Sequence, residues 1–298
     1  MSDGGEGFVD VLADEVRTAV VRGPLGSPTL ALFAMLEDRT AIVESAQAAG
    51  RALVPSPSGD QPLEASTFGV GELIAAAQRA GAARIVVGVG GTASTDGGRG
   101  CVEALETLGV TIDVPLVAAC DVLVRFGEAP ARFGPQKGAS HAQVTVLERR
   151  LAATADWYRD RFGVDVTEVL GAGAGGGLAG GLIALGATVL GGARFVAEAI
   201  DLAGALDGAD LIVTGEGSLD SGTLDGKVVR TVLDARPTVP ALVLAGRADD
   251  DTGRALARAR PGALDVVVLD DGRPGRTASA IAHVVALHLD ALAAASTP

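Results

Sequence analysis

Lysine, aromatic residues and cysteine are all scarce in this chain, and each shortage closes off a class of function. Lys137 and Lys227 are the only lysines among 298 residues, whereas Asp and Glu total 37 and the formal net charge is −13. So acidic a surface repels a nucleic-acid backbone. Aromatics make up 3% of the chain, with a single Trp (Trp157) and a single Tyr (Tyr158), so no row of stacking platforms for bases exists. The two cysteines, Cys101 and Cys120, form neither a C-x-x-C pair nor a disulfide framework, and read as buried thiols in a reducing cytosol. His141, His283 and His288 share no motif, which argues against a histidine-built metal centre. MSDGGEGFVD lacks the basic and apolar regions of a leader, so a cytoplasmic location is expected. The uncharged run 169–193 is long enough to span a membrane, but it is rich in glycine and poor in large apolar side chains. No membrane partner is expected.

What the chain does have is small apolar residues and glycine. At 48% hydrophobic with 42 glycines, it must build its core from Ala, Val, Leu and Ile and turn often. After a polar loop, FVDVLADEV reads as a helix. RTAVVRGPLGSP, TLALFAML and RTAIVESA read as strands joined by turns, with Pro at the second position of GPLG. GVGELIAAAQRAGA is helical, RIVVGVGG is a buried strand running into a glycine turn, and VPLVAACDV is another strand. QVTVLERRLAATADWYRDRFG is an amphipathic helix. The end of the chain is regular: strands at ADLIVTGEG, PALVLAG and LDVVVLDD alternate with helices. Short apolar strands alternating with helices mean a parallel sheet, with ligands at the loops beyond the strand C-termini. The expected fold is therefore α/β in two domains. A doubly wound, Rossmann- or flavodoxin-like parallel-sheet domain comprises 1–19 plus 192–298, with a second α/β domain, 20–191, inserted.

Three stretches could carry chemistry. In TGEGSLDSGTLDGK (214–227), Glu216 and Asp220 leave a strand end, followed by Thr223, Asp225 and Lys227. Two acids, hydroxyls and a lysine suit a metal–phosphate site, in which the carboxylates hold Mg²⁺ or take a proton and the lysine neutralises phosphate. In GVGGTASTDGG (88–98), the backbone amides from Gly91 onward, with Thr92, Ser94 and Thr95, could cradle an anion. Asp96 is either a helix cap or an acceptor for substrate. GAGAGG (171–176) matches G-x-G-x-x-G, but no strand ending in an acid follows at the distance a dinucleotide fold needs, so close helix packing is the better reading. No P-loop, protein-kinase motif or nucleophile elbow is present.

SDGGEG (2–7), GPLG (23–26), GVGGTASTDGG, ACDV (119–122), FGPQKGA (133–139), GAGAGGGLAGGL and ADLIVTGEGSLDSGT, in this order, resemble the bacterial type I glycerate kinase family. FGPQKGA and TGEGxLD are its specific blocks. The resemblance implies ATP-dependent phosphorylation of D-glycerate, with 2-phosphoglycerate the favoured product. It also implies Mg²⁺ and a site in the cleft of a two-domain α/β fold, with a homodimer left open. By position, Asp3 and Glu6 match the family's acidic loop, Lys137 its GPQKGA lysine, and Glu216 and Asp220 its GEGxLD acids. Lys137 is then placed to meet a phosphate or the glycerate carboxylate. Asp220 or Glu216 serves as general base or Mg²⁺ ligand, and Gly91, Thr92, Ser94, Asp96 and Lys227 bind substrate or phosphate.

The chain also departs from the family pattern. Members carry an opening strand and PDSFKGSL-like segment, roughly 35–40 residues in all, that would form a central strand of the parallel sheet. Here only Met1 precedes the acidic loop, which predicts an open edge beside 209–214. LVRFGEAPAR stands where members often have an Asn-Pro-Leu element, and Gly222 stands where they tend to have Gln. The alternatives are a truncated paralogue that binds glycerate or nucleotide without catalysis, and a dinucleotide-binding oxidoreductase resting on GAGAGG.

Overall fold

The structure is a computed structural model that describes residues 2–219, 221–224, 227–259, 264–269 and 277–295. By contact the chain divides into two compact units, Met1–Ala199 and Ile200–Pro298.

The first unit is organised by one sheet of six strands. They are β1 (Glu15–Arg22), β2 (Pro28–Met35), β3 (Thr40–Glu44), β4 (Arg84–Gly88), β5 (Leu116–Ala119) and β6 (Thr188–Leu190), in that spatial order. β1 to β3 form an antiparallel meander; β3 to β6 run parallel. The period of two sorts side chains into two layers. Ala41 and Val43, Ile85 and Val87, and Leu116 and Ala118 face one core, under the helices Phe68–Arg79, Arg99–Thr107 and Leu178–Ala184. Ile42, Val86, Val117 and Ala119 face the other, where Phe8, Val9, Leu12 and Val196 cover them. The central strands are buried on both faces, which is why they read as continuous apolar runs. A further core lies along the His141–Phe162 helix, where Leu151, Ala155 and Tyr158 recur at helical spacing and meet Phe126. Ser140 and Gln143 cap that helix reciprocally, Gln143 N–H donating to Ser140 Oγ at 3.3 Å and Ser140 N–H to Gln143 Oε1 at 2.9 Å.

The second unit carries a three-stranded parallel sheet, β7 (Ile212–Leu219), β8 (Ala241–Ala248) and β9 (Leu264–Val268), in that order. Ile212, Leu219, Val229, Leu233, Val243 and Leu256 fill its core. Among the described residues β7 pairs only with β8, so it is an edge strand. No described helix is long and apolar enough to cross a membrane.

Mixed α/β architecture with mostly parallel sheets agrees with the sequence reading. Three details differ. The first helix ends at Leu12 rather than running on through Val16. Residues 15–22 alternate and are rich in β-branched side chains, and they pair along their whole length with β2. β6 has three residues and was not legible as a strand. The sequence reading grouped 1–19 with 192–298, but by contact 1–19 and 192–199 belong with the first unit. The β1–β2 ladder and the packing of Phe8 and Val196 on one sheet face account for this.

Candidate functional site

In the first unit, β3, β4 and β5 end level with one another: Glu44 pairs with Gly88, and Gly88 with Ala119. The loops that follow gather at that edge, where parallel sheets bind ligands. The acidic 2–7 loop is laid across it. Gly90 N–H donates to Gly4 O at 3.0 Å. Gly4 has φ 91°, and a Cβ there would come within 2.6 Å of Ala119 O, so only glycine fits. Asp3 accepts Gly5 N–H at 3.2 Å and so shapes the loop itself, while Glu6 is exposed beside Gly91. Glu44, buried at the end of β3, accepts the Val9 amide at 3.2 Å and holds the far end of the loop. Burial pushes its carboxyl pKa up, against the pull of the amides of residues 7–9 and the Gln47 side chain. Its neighbour Ser45 donates to Gly90 O at 3.1 Å.

The glycine turn after β4 is fixed by the segment after β3. Ala93 N–H donates to Ala49 O at 2.7 Å, Arg51 N–H to Gly91 O at 2.9 Å, and Gly50 bridges Thr92. Asp96 is the hub of this turn. Its carboxylate accepts the Thr67 amide at 2.7 Å and the amides of Gly98 and Gly100 at 3.1 and 3.2 Å. It also accepts the hydroxyls of Thr67 and Ser66. These donors tie the 66–67 segment and the start of the Arg99–Thr107 helix to Asp96.

Lys137 sits in the one-turn helix Pro135–Lys137 and is buried, 7% exposed. Its Nζ donates to Thr92 Oγ1 at 3.1 Å and to the Ser94 carbonyl. The ammonium lies under the glycine turn. Burial drives its pKa down to about 7, Asp96 pulls the other way, and Arg51 adds to the depression. The 171–177 loop closes over the same point. Gly176 has φ 70°, and a Cβ there would lie 2.8 Å from Lys137 Nζ and closer still to Ser94 O. GAGAGG is thus a close-packing element, as the sequence suggested. Ser94 Oγ, fully buried, has no hydrogen-bond partner among the described residues.

A cavity of about 410 Å³ opens beside this cluster, lined by Glu6, Gln61, Gly91, Gln136, Lys137 and Arg51, with prolines and small apolar residues between them. The structure therefore brings together Glu6, Gly91 and Lys137 at the cavity, with Thr92 and Ser94 directly behind the lysine. Asp3 and Asp96 do not line it. Arg51 and Gln136 were not singled out from sequence. Gln136 lay inside the quoted GPQK block, whereas Arg51 belongs to no motif that could have flagged it. Glu44 carried a weak signal, an acid closing a buried strand.

In the second unit Glu216 lies within β7 opposite Ala245, half-buried, rather than in the loop after the strand, and accepts the Thr223 hydroxyl. Lys227 starts the Val228–Ala235 helix as its N-cap. Asp220, the proposed base and metal ligand, lies outside the described residues. Glu216 is a hard oxygen donor of the kind Mg²⁺ takes singly or in pairs, completing its shell with water and phosphate. Among the described residues no cluster of three or more acids, histidines or cysteines forms a metal cage.

These blocks can be set against known proteins. A sequence model described as "Glycerate kinase family" matches residues 1–112 and 109–267. The chain belongs to the glycerate kinase family. Glycerate kinase of Bacillus subtilis (strain 168) is 38% identical over 291 residues, covering 85% of this chain and 76% of that protein. Glycerate 2-kinase of Escherichia coli K12 is 36% identical over 292 residues, with the same coverage of 85% and 76%. A crystal structure from Salmonella typhimurium LT2, of a protein provisionally named glycerate kinase 2, superposes with a TM-score of 0.73 at 32% identity. It covers 98% of this chain and 88% of that one.

Proposed function

We propose that the chain phosphorylates D-glycerate with ATP, and that the product is 2-phosphoglycerate. The observation that carries this reading is Lys137. The family's block lysine is buried at the wall of a small cavity, under a glycine turn, in a protein that has only one other lysine. A buried ammonium is costly unless an anion restores its charge. A substrate carboxylate or a transferring phosphoryl group supplies that anion.

In the reaction the glycerate hydroxyl oxygen forms a bond to the γ-phosphorus while the bond from that phosphorus to the bridging oxygen of ADP breaks. The hydroxyl proton passes to a carboxylate, for which Asp220 or Glu216 is our assignment. Lys137 and the amides of the Gly91–Thr95 turn hold negative charge in the first unit; Lys227 is assigned to phosphate in the second. Mg²⁺, with Glu216 and Asp220 as its protein ligands, would supply further neutralisation of the ATP phosphates. We place the enzyme in the cytoplasm, where ATP is abundant. The test is ADP release from ATP in the presence of D-glycerate, with the phosphorylated position read by ³¹P NMR.

A further inference from the structure

The cavity in the first unit carries more cations than its composition predicts. In a chain of net charge −13, two basic side chains, Arg51 and Lys137, line it against one acid, Glu6. Arg51 is not a loosely attached surface arginine. Its own amide is bonded to Gly91 O at 2.9 Å, and the residues on either side of that bond are tied by the Gly50–Thr92 bridge and the Ala93–Ala49 hydrogen bond. The backbone carrying Arg51 is therefore pinned to the same glycine turn that Lys137 supports from beneath. The two cations are close enough for the charge on Arg51 to disfavour protonation of Lys137. With Glu6 as the lining acid, two basic side chains meet at this cavity, and a bound anion would favour the Lys137 ammonium against its burial.

The lining also limits which anion. Among the described residues no aromatic side chain lines the cavity, so its described wall offers no platform for a purine ring. Gln61 and Gln136 provide amide donors and acceptors, and the rest of the wall is proline, alanine, valine and Gly91. Such a site suits a small polyol acid. The planar fork of a guanidinium matches a carboxylate with two parallel hydrogen bonds, whereas an ammonium acts as a point charge.

We infer that Arg51 is the carboxylate receptor of the substrate site, distinguishing a three-carbon hydroxy acid from the corresponding neutral polyol, with Lys137 facing the reacting end. This assignment rests on the glycerate reading of the site. Arg51 is exposed, so its replacement leaves the core untouched.

The experiment measures KM for D-glycerate and for ATP in the wild-type protein, Arg51→Met and Arg51→Lys. Loss of a hydrogen-bonded charge partner raises KM for D-glycerate by about 10–100-fold in Arg51→Met. Arg51→Lys recovers only part of this, and KM for ATP moves far less. An unchanged KM for D-glycerate, or a rise confined to ATP, overturns the inference while leaving the kinase reading standing. If the wild-type protein does not turn over D-glycerate, the kinase reading fails on its own and thermal shift decides the role of Arg51. Stabilisation by D-glycerate but not by glycerol, lost in Arg51→Met, supports the carboxylate receptor. No stabilisation of the wild type by D-glycerate, or an equal shift in the variant, overturns it. Inorganic tripolyphosphate serves as the competing anion: a shift by tripolyphosphate alone, abolished in Arg51→Met, assigns the cavity to a nucleotide tail and overturns the inference as well.

Discussion

The ammonium of Lys137 donates to the Thr92 hydroxyl at 3.1 Å, joining two sequence blocks that lie 45 positions apart. The same nitrogen reaches the Ser94 carbonyl, so one side chain holds two residues of the glycine turn and faces the cavity. Binding and architecture are therefore coupled at this residue.

One consequence appears in stability against pH. The Lys137 pKa is lowered to about 7 in the folded protein, below its ordinary value of 10.5. Between those two values the unfolded chain binds more protons than the folded one, so this group makes stability rise with pH across that window. Its cost is complete below about pH 7 and gone near pH 10.5. Lys137→Met removes the cost. Urea unfolding at pH 6.5 and 9.5 is expected to show the wild type gaining on the variant as pH rises; parallel behaviour of the two proteins would mean the lysine is not desolvated.

The same depression predicts a proton count. Above pH 7 the amine is largely neutral, and a bound anion that favours the ammonium draws a proton from solution. Calorimetry of D-glycerate binding at pH 8.5, in two buffers of different ionisation enthalpy, is expected to show net uptake of up to one proton. The uptake should be absent in Lys137→Met.

Glu44 and Val9 provide a test of the acidic loop. Glu44→Ala leaves the Val9 amide, and the amides beside it, without their buried acceptor, which costs about 1–3 kcal/mol. Glu44→Gln keeps an acceptor oxygen and is expected to lose less. Hydrogen exchange at residues 4–9 should accelerate in Glu44→Ala and stay near the wild-type rate in Glu44→Gln. Equal exchange in both would remove Glu44 from the positioning of this loop.

Gly176→Ala brings a methyl group against Lys137 Nζ and Ser94 O at a positive φ. Gly26→Ala also sits at positive φ but meets nothing within 4 Å, so it isolates the backbone strain. Gly176→Ala is expected to reduce kcat/KM for D-glycerate well beyond the Gly26→Ala control, and to shift the melting temperature further.

Much of this was legible from sequence for a physical reason. β3, β4 and β5 are buried on both faces and announce themselves as apolar runs, and the long helix shows its amphipathic spacing from Gln143 onward. Lys137 stood out because lysine is so rare. What sequence hid was tertiary. The strand's start at Glu15, inside the stretch read as helix, depends on pairing with β2. The occupation of Asp96 depends on Ser66 and Thr67, some 30 residues away in sequence, folding back onto it. Arg51 reaches the cavity only because its backbone is tied to Gly91, a relationship with no local pattern.

The central claim is that Lys137 holds the charge of a glycerate phosphorylation site, and ADP release with D-glycerate tests it most directly. The wild-type protein is expected to turn over ATP only when D-glycerate is present, and Lys137→Met to lose about 10²–10³-fold in kcat/KM while remaining folded. No glycerate-dependent ADP release from the wild type, or full activity in Lys137→Met, would contradict the account.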